Sequence, residues 1–301
     1  MKLLEHRIVL PSHTGTVTLI PFGCVHADDE GFDEDRFEEC LTAIATTPHC
    51  YAIGLGDYKS FARTHYRNHI RAYRADEDSQ RDMDNLVEAE AHKFYTKYLK
   101  RIQGKLWGLA EGNHHWQFQN GTTDTQLLCK LAGVPYLEKG SLHRLAVIRP
   151  DGRSIKSFKI LVHHGDWGGG AQTIGGDVNS LVARGGAAWD VDVVIAGHTH
   201  RKFGYAEPIL TLSDHGALKV VERPKAFIRA GCFTKGYLEG CVTYAERRLM
   251  KPTTLGYVTL RIEFFRRFDK AKYLAKRQRG KSADAARNAQ HPVEYRFGFE
   301  Q

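Results

Sequence analysis

The sequence predicts an α/β fold in which short buried strands alternate with helices. Apolar, β-rich runs recur along the chain, and stretches with apolar residues at helical spacing separate them. Most of these runs end in a cluster of Gly, His, Asp or Asn, which puts reactive side chains at strand ends, where rigid elements aim loop residues. At 301 residues, 42% hydrophobic and 26% charged, the chain is also long enough to bury a core without disulfide staples.

In chain order, Ile8 to Leu10 and Val17 to Pro21 read as paired strands across the turn-like stretch Ser12 to Gly15. Asp33 to Thr46 reads as a helix, with Phe37, Leu41, Ile44 and Ala45 on one face and acids near its start. Tyr51 to Leu55, Lys105 to Ala110, Phe158 to His163 and Val191 to Ala196 read as short buried strands. Phe61 to Arg101 is highly charged and helical in pattern, with Val87, Ala91, Phe94, Tyr95, Tyr98, Leu99 and Ile102 at helical spacing. It is expected to be a helical insertion spanning about residues 61–102, a structural connection rather than a lid. Residues 201–264 read as antiparallel strands with turns at Glu207-Pro208 and Asp214-His215-Gly216. The expected division is a main domain over 1–265 and a basic C-terminal extension over 266–301, a helix or loose arm from about Asp269.

The net charge of +8 is uneven. Residues 266–281 hold eight basic residues (Arg266, Arg267, Lys270, Lys272, Lys276, Arg277, Arg279 and Lys281) against the single acid Asp269. Such a stretch is either a solvated extension or a contact for nucleic acid or another polyanion. The six cysteines, Cys24, Cys40, Cys50, Cys129, Cys232 and Cys241, form no CxxC pair, which favours free thiols in a reducing compartment. Met1 to Pro11 is too short and too polar for a signal peptide, and no apolar run is long enough to span a membrane. A cytoplasmic protein is expected.

Five short segments carry the chemistry: Cys24-Val25-His26, Gly56-Asp57, Gly112-Asn113-His114, His163-His164-Gly165 and Gly197-His198-Thr199-His200. Each follows an apolar, strand-like run, and together they supply the ligand types of divalent transition metals. In an extended segment residues i and i+2 point to the same side. Cys24 with His26, and His198 with His200, are therefore each expected to present two donors to one cavity. A nucleophilic cysteine with one base is the weaker reading, because the segments offer a surplus of histidines and an asparagine. Most of the sixteen histidines, including His6 and His143, are expected to be structural.

With these segments in this order, the chain resembles the calcineurin-like metallophosphoesterases, whose pattern is Asp-x-His, Gly-Asp, Gly-Asn-His, a His before Gly, then Gly-His-x-His. The resemblance spans residues 22–200, and Gly112-Asn113-His114 with Gly197-His198-Thr199-His200 is its specific part. The Gly-rich stretch from His163 to Gly170 looks like that of bacterial and phage members. The resemblance implies a four-layer αββα sandwich of two mixed β-sheets flanked by helices. It implies two divalent metal ions (Zn, Fe or Mn), one held by Cys24, His26, Asp57 and His200 and the other by Asp57, Asn113, His164 and His198, with Asp57 bridging. His164, which precedes Gly165, is the family's position rather than His163, to which a supporting place falls. His114 is implied as a catalytic group over the substrate that stabilises the phosphoryl oxygens and helps the leaving group depart. The implied reaction is hydrolysis of a phosphate ester by a metal-bridging hydroxide, with the ions roughly 3.5–4 Å apart.

Cys24 stands where the family has Asp. Three readings follow: Cys24 ligates as a thiolate, Asp28 or Asp29 fills the gap, or the first site is impaired. Charge balance favours ligation, since a thiolate preserves the carboxylate's −1 while its softness favours zinc or iron. Gly56-Asp57 continues as Tyr58-Lys59-Ser60-Phe61, without the arginine-bearing continuation of the superfamily's protein Ser/Thr phosphatases. A phosphodiester or nucleic-acid substrate fits the basic tail better, with a nucleotide or a small phosphomonoester left open. The alternative is a non-catalytic module that binds nucleic acid or another polyanion on the same scaffold. His115 is left without a role, and Trp116 and Trp167 are expected to pack rather than to stack on a substrate.

Overall fold

The computed structural model describes residues 1–12, 14–60, 77–167, 173–213, 218–247, 249–266 and 293–301. Its strands are β1 (Lys2–Val9), β2 (Gly15–Phe22), β3 (Cys50–Gly54), β4 (Leu106–Leu109), β5 (Gly140–Ile148), β6 (Ser154–His163), β7 (Val193–Ala196), β8 (Lys202–Leu212), β9 (Val220–Ala230), β10 (Thr259–Arg266) and β11 (Val293–Glu300). Its helices are α1 (Glu34–Thr46), α2 (Glu77–Lys97), α3 (Asp124–Ala132), α4 (Ile174–Leu181) and the one-turn α5 (Tyr244–Arg247). Sheet A has six strands in the order β1-β5-β6-β7-β9-β8, and sheet B has five in the order β11-β10-β2-β3-β4. Both sheets are mixed and carry helices on their outer faces, the four-layer αββα sandwich expected.

Strand alternation builds the layers. Val17 and Leu19 of β2, Ile53 of β3 and Ile262 of β10 face Leu145 of β5, Ile160 of β6, Ile195 of β7 and Ile228 of β9 in the core between the sheets. Ile20 and Phe22 of β2 point the other way, against Phe37, Leu41 and Ile44 of α1, Phe94 of α2 and Leu128 of α3. β2 is thus buried on both faces, which is why its sequence reads as a continuous apolar run. Outside sheet A, Leu181 of α4 packs with Leu161, Val194 and Phe227.

The ends of α1 show how local chemistry sets an element. The Asp33 carboxylate caps the first turn by accepting from the Arg36 N–H at 3.3 Å, and Glu34 and Asp35 favour the helix dipole there. At the other end, Lys105 Nζ donates to the carbonyls of Ile44, Ala45 and Thr47, each at 2.8 Å. Lys105→Met keeps the stem and removes these charged donors, and is expected to cost about 2 kcal/mol, read by urea denaturation. An unchanged midpoint would show that water replaces the ammonium without loss.

Several expectations are corrected. The first two strands do not pair: β1 runs parallel to β5 in sheet A, while β2 lies between β10 and β3 in sheet B. A turn signal says that the chain bends, not that its flanks bond. Here the bend carries the chain from one sheet to the other, because β2 has two apolar faces and fills an interior position. Glu207-Pro208 is no turn but the middle of β8, where Pro208 stands opposite Pro224 of β9. Neither proline has an N–H to exchange, so Pro208 turns its backbone toward the free edge of the sheet, the one place a strand proline is harmless. The basic extension does not run unbroken to residue 301, because Val293–Glu300 returns as β11, antiparallel to β10. Its aromatic side chains Tyr295, Phe297 and Phe299 pack on the core between the sheets, which supplies the reason.

Residues 61–76 of the expected insertion, the Asp214-His215-Gly216 turn, Gly168 to Gly170 and the basic residues from Arg267 to Lys281 lie outside the described residues. α2 continues through a 3-10 turn, Leu99–Lys105, and Val87, Ala91, Phe94, Tyr98, Leu99 and Ile102 are buried as their spacing predicts. His6 and His143 are packing groups: His6 stacks on Trp107 at 3.8 Å and meets His143 Nδ1 through Nε2 at 2.9 Å. Burial pushes His6 down to about 4 and His143 to about 3, so both are neutral at neutral pH. Among the described residues, no helix is long and apolar enough to cross a membrane.

Candidate metal centre

The two sheets bring all five segments to one end of the sandwich. β2, β3 and β4 are parallel neighbours, as are β6, β7 and β9. The segments holding Cys24 and His26, Asp57, Asn113 and His114, His164, and His198 and His200 leave the carboxyl ends of β2, β3, β4, β6 and β7 respectively. The sheets meet there directly, as His164 Nδ1 of the sheet A loop donates to the Leu55 carbonyl of the sheet B loop at 2.6 Å.

Two clusters of donors result. Cys24, His26 and His200 form one, and Asp57, His164 and His198 the other; within each, the donor atoms all lie within 4.8 Å of one another. Asn113 joins the second, its Oδ1 lying 2.9 Å from His164 Nε2 and 3.0 Å from His198 Nδ1. With its Nδ1–H given to Leu55, His164 presents a lone pair at Nε2, only 3.3 Å from Asp57 Oδ2. Lone pairs that converge in this way are stable around a cation, so the donor set fits a divalent metal.

Electrostatics agree with that fit. Burial alone would raise the Asp57 carboxyl, but His164, His26 and His114 outweigh it and hold it well below the usual carboxylate range. Burial pushes His26 down to about 3 and His198 down to about 4, which keeps both rings neutral and able to ligate. Burial also pushes the Cys24 thiol up, with His200 pulling the other way. Burial lowers His200 as well, but the charges of Cys24 and Asp57 and the hydrogen bond the ring donates to the Cys24 sulfur overcome it and leave the ring above its ordinary value.

The backbone reaches this arrangement by a route the spacing did not predict. Cys24 (φ 48°), His26 (φ 48°), Asp57 (φ 54°), His198 (φ 70°) and His200 (φ 58°) are all left-handed, not extended. Non-glycine residues in this region are uncommon and carry strain that clusters at functional sites. Hydrogen bonds to the Asp57 carbonyl from the N–H groups of Val25 (2.9 Å) and His26 (3.0 Å) hold the first bend. Two glycines permit the closest approach. Gly56 (φ +97°) lies against Gly112, and a Cβ on Gly112 would collide with the Asp57 carboxylate and amide.

Around the clusters, His26 Nδ1 meets Ser60 Oγ at 2.5 Å, and the Ser60 N–H donates to Asp28 Oδ1 at 2.6 Å. Asp29 Oδ1 accepts from the Gly31 N–H at 2.8 Å. Asp28 and Asp29 are thus engaged with loop backbone, and Cys24 stands in the cluster. The His114 N–H donates to Asp57 Oδ1 at 3.0 Å, and its ring stands edge-on to His26 at 5.0 Å. His163 belongs to neither cluster; it accepts from the Gly165 N–H at 2.9 Å and packs on Trp167 at 5.0 Å. His115 Nδ1 lies 3.0 Å from the Gly112 carbonyl. Trp116 Nε1 donates to Asp84 at 2.7 Å and Trp167 Nε1 to Ser180 at 3.1 Å, so both indoles belong to the packing.

Sequence reasoning passed over Ser60, Lys139, Asp177 and Arg229. Lys139 Nζ ties the Gly112 carbonyl (2.8 Å) to Asp166 (3.1 Å), and so links the loops after β4 and β6. Arg229 had a signal: it is a lone charge in the apolar run Ala226 to Ala230, and a buried arginine demands a partner. Asp177 had none, because its partners lie far away in sequence.

No sequence model of a known family matches this chain, and no curated protein matches it. Among solved structures it is similar to Vps29 of Chaetomium thermophilum, at 12% identity over 95% of this chain and 97% of that one, with a TM-score of 0.33.

Proposed function

We propose that this protein is a dinuclear metal-dependent phosphoesterase of the calcineurin-like type. The observation that carries the reading is the pair of three-donor clusters, joined by the short His198-Thr199-His200 loop, with Asn113 Oδ1 between two histidines of the second. Bound divalent ions supply Lewis acidity at phosphate oxygens and a water of lowered pKa. The chain's own residues do the rest. Asp57 stays ionised and is the candidate shared ligand, because β3 lies between β2 and β4 and so sets it between the Cys24–His26 and Asn113–His114 loops. His164 is oriented by Leu55 and His26 by Ser60. His114, anchored through its N–H on Asp57, offers its ring to the phosphoryl oxygens and donates a proton to the leaving group. Cys24, a soft donor, favours zinc or iron in the first cluster.

A phosphodiester, as in a nucleic acid or nucleotide, is the substrate class we favour, on the basic composition of residues 266–281. β10, which precedes this stretch in sequence, runs antiparallel to β2. The test is metal analysis of the purified protein beside hydrolysis of an aryl phosphate diester, a monoester, and single- and double-stranded DNA, each with zinc, iron and manganese. Chelator-sensitive hydrolysis, most rapid on a diester, is expected, with DNA cleavage falling steeply as salt rises. Metal-loaded protein that hydrolyses none of these substrates would leave the non-catalytic binding module.

A further inference from the structure

Behind the loop that serves both clusters lies a buried ion pair. Arg229 of β9 and Asp177 of α4 meet at 2.7 Å, and each side chain is 1% exposed. Arg229 Nη1 donates to the Gly197 carbonyl at 2.9 Å. Asp177 Oδ2 accepts from Thr199 Oγ1 at 2.9 Å, and Arg201 Nε approaches the same oxygen at 3.9 Å. The pair thus touches the loop before, between and after its two histidines. The Trp167 ring covers the guanidinium at 5.2 Å.

As a source of stability this pair is poorly chosen. Desolvating both charges offsets most of their attraction, and apolar residues of similar volume commonly hold a fold as well. Apolar residues cannot, however, hold a carbonyl and a hydroxyl at set points of a strained loop. His198 (φ 70°) and His200 (φ 58°) need such points, because left-handed backbone persists only where its surroundings over-determine it.

We propose that Asp177 and Arg229 are positioning residues that clamp Gly197 and Thr199, so that His198 and His200 are presented to the two clusters together. Binding of a divalent cation at one cluster is thereby coupled to the same pair that supports the other. The proposal rests on the reading of the clusters as metal sites, but not on hydrolysis.

Thr199 gives the cleanest test. Thr199→Val keeps the shape and the ion pair and deletes only the hydroxyl that Asp177 holds, whereas Thr199→Ser keeps that hydroxyl. Chelator-treated full-length protein is titrated with Co2+ alone, following the absorption of the histidine- and thiolate-bound ion. Thr199→Val is expected to weaken both binding steps by roughly 10–100-fold at unchanged Tm, and Thr199→Ser to restore them. A merely structural role would lower Tm and leave the Co2+ spectrum alone. Asp177→Asn is expected to act as Thr199→Val does; if it fails to fold, the threonine pair still decides. Wild-type affinity in Thr199→Val, weakening of a single step, or no rescue by serine would overturn the proposal. If the wild type takes up no Co2+, both this proposal and the metal-site reading fall. Normal coupling without hydrolysis of any ester would overturn the proposed function alone.

Discussion

Asp57→Ala is expected to lose metal and turnover together, whereas His114→Ala keeps metal and loses turnover by about 10²–10³-fold. The contrast follows from what each residue touches. Asp57 is the one carboxylate in the two clusters found among the described residues, and it lies 3.3 Å from His164 Nε2. Removing it takes away the negative charge that offsets a divalent ion, and also the acceptor for the His114 N–H. A loss in metal affinity of roughly 100-fold or more is expected, since lesser changes around metal ligands already cost 10–100-fold. His114 is outside both clusters, and its tie to Asp57 runs through backbone, which alanine retains. Metal content and hydrolysis of an aryl phosphate diester, measured on the same preparations, separate the two roles. Equal metal content and undiminished rates in both variants would remove Asp57 and His114 from the site.

Cys24→Asp is expected to turn the first cluster from zinc or iron toward manganese, changing the ratio of the affinities by on the order of tenfold. The substitution holds the ionised ligand's charge at −1 and exchanges a soft sulfur for a hard oxygen. It is informative because Cys24 is fully buried beside His26 and His200, while Asp28 and Asp29 accept from the Ser60 and Gly31 N–H groups. Competition between zinc and manganese, read by metal analysis after equilibration, gives the ratio directly. A ratio unmoved by the substitution would mean that Cys24 only fills space beneath the histidines.

Much of this was legible along the chain because the controlling physics is local. The Asp33 cap, the apolar face of α1 and the helical spacing from Val87 to Ile102 depend on neighbours a turn or less away, and the structure matches them. Pairings are different. β1 and β2 read as a hairpin because two apolar runs flank a turn, yet the choice of sheet was made by burial of both faces of β2. Pro208 read as a turn because an edge strand cannot be recognised before its sheet is known.

The donor types and the strand ends that carry them were determined by sequence alone, since Cys24, His26, Asp57, Asn113, His164, His198 and His200 each follow a run that could only be buried. Which donors meet was decided by the tertiary structure. His164 reaches the Leu55 carbonyl across 109 residues because the carboxyl ends of two parallel strand sets close on each other. The left-handed backbone at Cys24, His26, Asp57, His198 and His200 has the same origin, for only surrounding contacts can hold residues other than glycine there. Propensity and periodicity act over a few residues, whereas a metal cage is made of contacts between segments that no local rule connects.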